Sequence, residues 1–119
     1  MLRRTHKYKL DKNTSMNTSF NGVPIEVLDR EGYSVVGAWT ETLAVLGGTI
    51  GLQVSNDYDP SVNPVLPGTW TTLTGSLVTV SGSGSYGWNV ADVYYAWVRV
   101  FWTRTGGEGV LNSSACVKD

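Results

Sequence analysis

The sequence predicts an all-β protein: an antiparallel β-sandwich, jelly-roll-like, built from seven or eight short strands. Three observations lead there. Aromatic and β-branched residues gather in short runs with period-two alternation. Clusters of Gly, Pro, Asn and Asp separate those runs at near-regular intervals. The chain also has 14 glycines and only 16% charged residues, a mixture that suits tight turns rather than helices. Its 119 residues are enough for one domain with a two-layer core.

Residues 1–22 read as a basic N-terminal arm and polar linker, and residues 23–119 as a single β-sandwich domain. Residues 1–12 carry Arg3, Arg4, Lys7, Lys9 and Lys12 against Asp11 alone, while the remainder carries four cations against nine carboxylates. Such an asymmetry suits docking on an acidic neighbour. The plainer alternative is a first strand, Thr5 to Leu10, with its lysines in solvent. Five charges without Gly-rich spacing are a poor footprint for nucleic acid. Asn13 to Ser19 is polar and reads as a loop.

In the domain, Asn21-Gly22 signals a turn and Val23 to Leu28 a short strand with Pro24 near its start. A second turn at Asp29 to Gly32 leads into a strand from Tyr33 to Glu41. Gly47-Gly48 reads as a turn. Thr49 to Ser55 then alternates cleanly, with Ile50, Leu52 and Val54 on one face. Asn56 to Thr69 holds three of the four prolines and is the longest irregular stretch. Trp70 to Thr74 and Leu77 to Val80 are further strands, Ser81 to Gly87 a flexible loop, and Trp88 to Asp92 a bend. The densest strand former is Tyr94 to Trp102. Its Ala96, Val98 and Val100 face is core, whereas its Tyr95, Trp97, Arg99 and Phe101 face suits a second core layer, an assembly interface or a ligand platform. Thr105 to Gly109 reads as a hairpin turn. Val110 to Lys118 closes the chain, with Leu111, Ala115 and Val117 inward.

Single His and Cys residues exclude an internal disulfide and any multi-histidine or multi-cysteine metal centre. His6 and Cys116 would make a nucleophilic pair only if the terminal strands met. Asp57, Asp59, Asp92 and Glu108 all fall in expected loops, at no spacing that marks a glycosidase pair. Asp57, Asp59 and Asn63 open like a calcium loop. Val62 stands where that loop needs Gly, however, and Gly68 where it needs Glu. The plainer reading has these residues capping their own turn. No catalytic residue and no cofactor are expected. No segment approaches the roughly 20 apolar residues that span a bilayer, and the charged start is followed by no apolar signal core.

Five tryptophans and six tyrosines exceed what a small sandwich core takes. Tyr95, Trp97 and Phe101 are candidate contact residues, with Arg3, Arg4, Lys7 and Lys9 as a docking segment. Tyr58, Trp70, Tyr86 and Trp88 are candidates for stacking on sugar rings, beside Asn56, Asp57 and Asp92 as hydroxyl partners.

The order Gly48-Thr49-Ile50-Gly51-Leu52-Gln53-Val54-Ser55-Asn56-Asp57, Trp70, Trp88-Asn89-Val90, Tyr95-Ala96-Trp97-Val98-Arg99-Val100 and Gly107-Glu108-Gly109 resembles small β-sandwich proteins that bacteriophages encode among their virion genes. The Ser-Asn-Asp and Tyr-x-x-Val-Arg pattern is also loosely similar to discoidin-type lectin domains, although this chain lacks their paired terminal cysteines. The first resemblance implies a non-enzymatic virion structural protein: a capsid decoration, spike-base or head–tail component. It would be made in the host cytoplasm, homo-oligomerise and dock on other virion proteins. The second implies a carbohydrate-binding module for host surface glycans. Neither resemblance carries catalytic residues.

Overall fold

Two long strands organise the computed structural model, which describes residues 5–91 and 93–118. They are β5, Gly32–Ser55, and β9, Trp97–Lys118. These run antiparallel along their whole length, from Gly32 opposite Lys118 to Ser55 opposite Trp97. Short strands line their outer edges. β1 (Thr5–Lys9), β2 (Thr14–Ser15), β3 (Phe20–Asn21) and β4 (Ile25–Glu26) follow one another along β9, while β6 (Thr71–Thr72), β7 (Val78–Ser81) and β8 (Gly84–Val90) pair with β5.

Both long strands bend at mid-length, where the register shifts between Glu41 and Gly48. The bend needs glycine. A Cβ on Gly48, at φ +154°, would lie 2.1 Å from the Thr103 carbonyl oxygen, and one on Gly107, at φ +73°, 2.3 Å from that of Val45. Leu46 plugs the inside of the corner, and its N–H donates to the Glu41 carboxylate at 2.8 Å.

Each half of the sheet has one buried face. Tyr33, Val35 and Trp39 lie beside Leu111, Ala115 and Val117 in one half. Ile50, Leu52 and Val54 pair with Trp102, Val100 and Val98 in the other. All belong to a single hydrophobic core. Among the described residues there is no helix to cover either face, so the halves cover each other. The smallest molecular dimension, 24 Å, fits two sheet layers about 10 Å apart with their outward side chains.

The all-β antiparallel class is as expected, but several elements differ. Gly47-Gly48 and Gly106-Gly107 do mark changes of chain direction. They form one paired corner rather than two turns, so four expected strands become two. Ile50, Leu52 and Val54 are therefore cross-strand neighbours of Trp102, Val100 and Val98 in one sheet. Gly84–Val90 is a strand rather than a flexible loop and bend, because each of its residues pairs with β5 between Tyr33 and Trp39. Tyr94 to Ala96 precede β9 instead of opening it.

Residues 5–22 are built into the domain and are not an arm with a linker. β1 pairs with the end of β9 as an edge strand with Lys7 and Lys9 in solvent, the alternative considered above. Leu10 and Met16 are core residues. The intervening Asp11 is buried and clasped to β9: Ser113 Oγ donates to its carboxylate at 2.7 Å and accepts the Asp11 N–H at 3.0 Å. Gly22 follows because a Cβ there would sit 2.8 Å from both that carboxylate and the Val100 carbonyl oxygen.

Candidate binding groove

The long Pro-rich loop folds back over the outer face of the sheet, and its own polar residues hold it there. At its entry, Ser55 Oγ donates to Asp57 at 2.9 Å and accepts the Tyr58 N–H at 3.2 Å. Asp57 accepts the Thr69 N–H at 2.6 Å and so closes the neck of the loop. Asp59 and Leu66 exchange both backbone hydrogen bonds at 3.0 Å, and Asp59 caps Ser61. Gly68, at φ +73°, packs against the Tyr58 backbone, where a Cβ would come within 2.7 Å. Both carboxyl groups titrate below the ordinary aspartate range. The Thr69 N–H and then the Ser55 hydroxyl stabilise ionised Asp57, and the Ser61 hydroxyl and N–H stabilise ionised Asp59.

This closure seats Tyr58 between two tryptophans. Its ring centroid lies 5.5 Å from Trp70 and 4.9 Å from Trp97, the latter edge-on at 87°. Arg99 stacks on Trp70 with its guanidinium carbon 4.0 Å from the ring centroid, and Nε donates to Gln53 at 3.0 Å. Burial lowers the Arg99 pKa, partly opposed by Tyr58, yet the group stays protonated. Beyond Tyr58 and Trp97 opens a groove of about 540 Å³, walled by Leu28 and Leu66 and bordered by Glu26, Asp57 and Asp59. Asn56 secures one wall by accepting the Ala96 N–H at 2.9 Å.

The sequence-derived candidates divide across the molecule. Tyr58, Trp70, Asn56 and Asp57 meet as one group, joined by Trp97. Trp70 is already stacked by Arg99, which leaves Tyr58 and Trp97 as the groove's aromatic surfaces. Trp88 is no sugar platform: it is buried, and its indole N–H donates to the Ser76 carbonyl at 2.7 Å. Tyr86 lies against it on β8. Asp92 lies outside the described residues.

The contact set is also split. Tyr95 is exposed, while Trp97 and Phe101 are half-buried on the outer face. Lys7 and Lys9 pair near the opposite end of β9, so they share no surface with Trp97. Arg3 and Arg4 lie outside the described residues. Among the described residues no cluster of His, Cys, Asp and Glu is placed to hold a metal ion. Asp57 and Asp59 cap their own turns. His6 stands opposite Val117 and Cys116 opposite Lys7, so strand alternation sends the two side chains to opposite faces. Glu26, Leu28 and Leu66 carry no site signal in the sequence, because β4 pairing beside Trp97 brings the first two to the groove and the loop's return brings the third.

The fold and groove define a small all-β domain with an aromatic, acid-rimmed cleft at one end. No protein-family model matches the chain, and no curated protein matches it. Solved structures do. The SPBc2 prophage-derived protein YomS superposes with a TM-score of 0.60 over 100% of this chain and 96% of that one, at 9% identity. A carbohydrate-binding module of the family 9 glycoside hydrolase Cel9A from Ruminococcus flavefaciens FD-1 gives a TM-score of 0.47 over 95% and 98%, at 10% identity.

Proposed function

We propose that this chain is a non-enzymatic structural component of a bacteriophage virion, a decoration, spike-base or head–tail piece that homo-oligomerises and docks on a larger lattice. The observation that carries the reading is a set of large apolar side chains left exposed, of which Leu28 and Leu66 meet at the groove. Leu28, Leu43, Val45, Leu66, Leu77 and Tyr94 are each more than half exposed in the isolated chain. The prophage origin of a protein sharing the fold over its whole length supplies the setting. Two measurements test this. Native mass spectrometry at about 100 µM should find an oligomer, since weak assembly contacts lie in the micromolar range, and proteomics of purified particles should find the chain. A monomer only, or particles without the chain, overturns the proposal.

A second reading, binding of host surface glycans, is favoured by the groove. Tyr58 and Trp97 offer rigid apolar area beside the acceptors Glu26, Asp57 and Asp59, which suits a sugar ring and its hydroxyls. Tryptophan fluorescence titrated with host polysaccharides should respond, and Trp97→Ala should abolish the response. A flat titration across sugars eliminates this reading.

A further inference from the structure

We propose that β8 is a self-association edge, on which a second copy of this chain extends the sheet about a two-fold axis at Gly87. This rests on the homo-oligomerisation proposed above and adds a backbone contact separate from the exposed apolar residues named there.

The edges of the sheet differ. β8 has seven residues and is the longest edge strand among those described. Its sequence, Gly84-Ser85-Tyr86-Gly87-Trp88-Asn89-Val90, has no charge and no proline. β1 presents Lys7 and Lys9, the usual means of keeping an edge from pairing, and the remaining edge strands have four residues or fewer.

Parity identifies the free backbone groups. Ser113 exchanges hydrogen bonds with Leu10 and Asp11, so it faces away from β5. Its neighbours Asn112 and Ser114 therefore face β5 at Ala38 and Val36, which turns Gly37 toward Tyr86 of β8. Tyr86 and Trp88 thus bond to β5, whereas the N–H and C=O groups of Ser85, Gly87 and Asn89 point outward.

That outward set complements itself. In an antiparallel pair centred on Gly87, glycine meets glycine, and Ser85 meets Asn89 of the second copy. All three residues use both backbone groups. The alternate pairs set Tyr86 opposite position 88 of the second copy at the closer, non-hydrogen-bonded spacing, where the exposed Tyr86 ring is covered. Tyr86 is 43% exposed in the single chain, beside a crevice of about 190 Å³ lined by Leu73, Ser76 and Trp88. The same axis on β1 would bring lysines together.

The test is a charge swap at two exposed positions, read by native mass spectrometry and sedimentation. Ser85→Lys with Asn89→Lys places lysine opposite lysine twice and should weaken association by about tenfold or more relative to wild type. Ser85→Lys with Asn89→Glu places lysine opposite glutamate and should retain it. Matching far-UV spectra and melting curves show that both variants fold. An oligomeric wild type whose association neither variant changes overturns the edge and leaves oligomerisation standing, while a monomeric wild type overturns both.

Discussion

The clasp between Asp11 and Ser113 gives the sharpest energetic test of whether the basic segment is part of the fold. Ser113→Ala removes a charge-assisted bond to a buried carboxylate and leaves the Asp11 N–H without its acceptor. The first loss is worth about 1.5–3 kcal/mol and the orphaned donor about 1–3 kcal/mol, so the variant should lose about 2.5–6 kcal/mol. Asp11→Ala strands the Ser113 hydroxyl and the Val23 N–H, whose bond is long at 3.3 Å, for about 2–4 kcal/mol. The double variant loses the shared Oγ–carboxylate bond only once. It should therefore fall short of the sum by about 1.5–3 kcal/mol, with both partners gone together. Urea unfolding of the four proteins at one pH measures this, provided the m-values agree. Additivity within about 0.5 kcal/mol, or single losses below about 1 kcal/mol, would refute the clasp.

Three further outcomes follow from the groove and the core. Trp70→Ala should destabilise the chain by about 0.5–2 kcal/mol beyond its lost area by removing the stacking partner of Arg99; a double-mutant cycle with Arg99→Gln isolates that coupling. Ionised Asp57 and Asp59 are stabilised by the folded loop, so their contribution is present above the usual aspartate pKa of 3.8 and fades as pH falls below it. Loop cleavage by pepsin should accordingly rise below that pH, and Asp57→Asn should flatten the rise. Burial pushes the Tyr33 phenol from 10.0 up to about 12, so stability is full below pH 10 and is lost as pH climbs toward 12. Tyr33→Phe should remove that part of the alkaline fall in melting temperature.

Much of the fold was legible because side-chain alternation needs no tertiary knowledge. Ile50, Leu52 and Val54, and likewise Val98 and Val100, announce a buried face by period alone. What was lost is what pairing decides. Gly-Gly signals a departure from straight strand, but a departure made by two paired strands at once is a corner, and only the register shows it. Ser85 and Gly87 carry no strand propensity; their partners on β5 make β8 a strand. The site was half legible for the same reason. Tyr58, Asn56 and Asp57 are near in sequence and stay near in space, whereas Glu26 and Leu28 reach the groove only because β4 pairs beside Trp97.

The tryptophans show how the two long strands divide the molecule into a core and an outer face. Trp39, Trp88 and Trp102 face inward and are buried, which the two-layer core accommodates because its glycines make room: Gly37 lies against Trp88 and Gly48 against Trp102. Trp97 lies on the other face of β9, and Trp70 at the start of the returning chain, so neither belongs to that core. Covering them falls to the Pro-rich loop, through Tyr58, and to Arg99. A loop whose turns are closed by Asp57 and Asp59 can change its tip while those closures persist. If the proposed glycan reading holds, recognition can vary at this end while the proposed association edge on β8 stays on the other half of the sheet. Substitutions at Tyr58 or Trp97 should alter ligand response and leave the association state unchanged, and those at Ser85 and Asn89 should do the reverse. Titration and native mass measured on the same variants would show whether the two ends are independent; a Trp97→Ala chain that dissociates would mean that they are not.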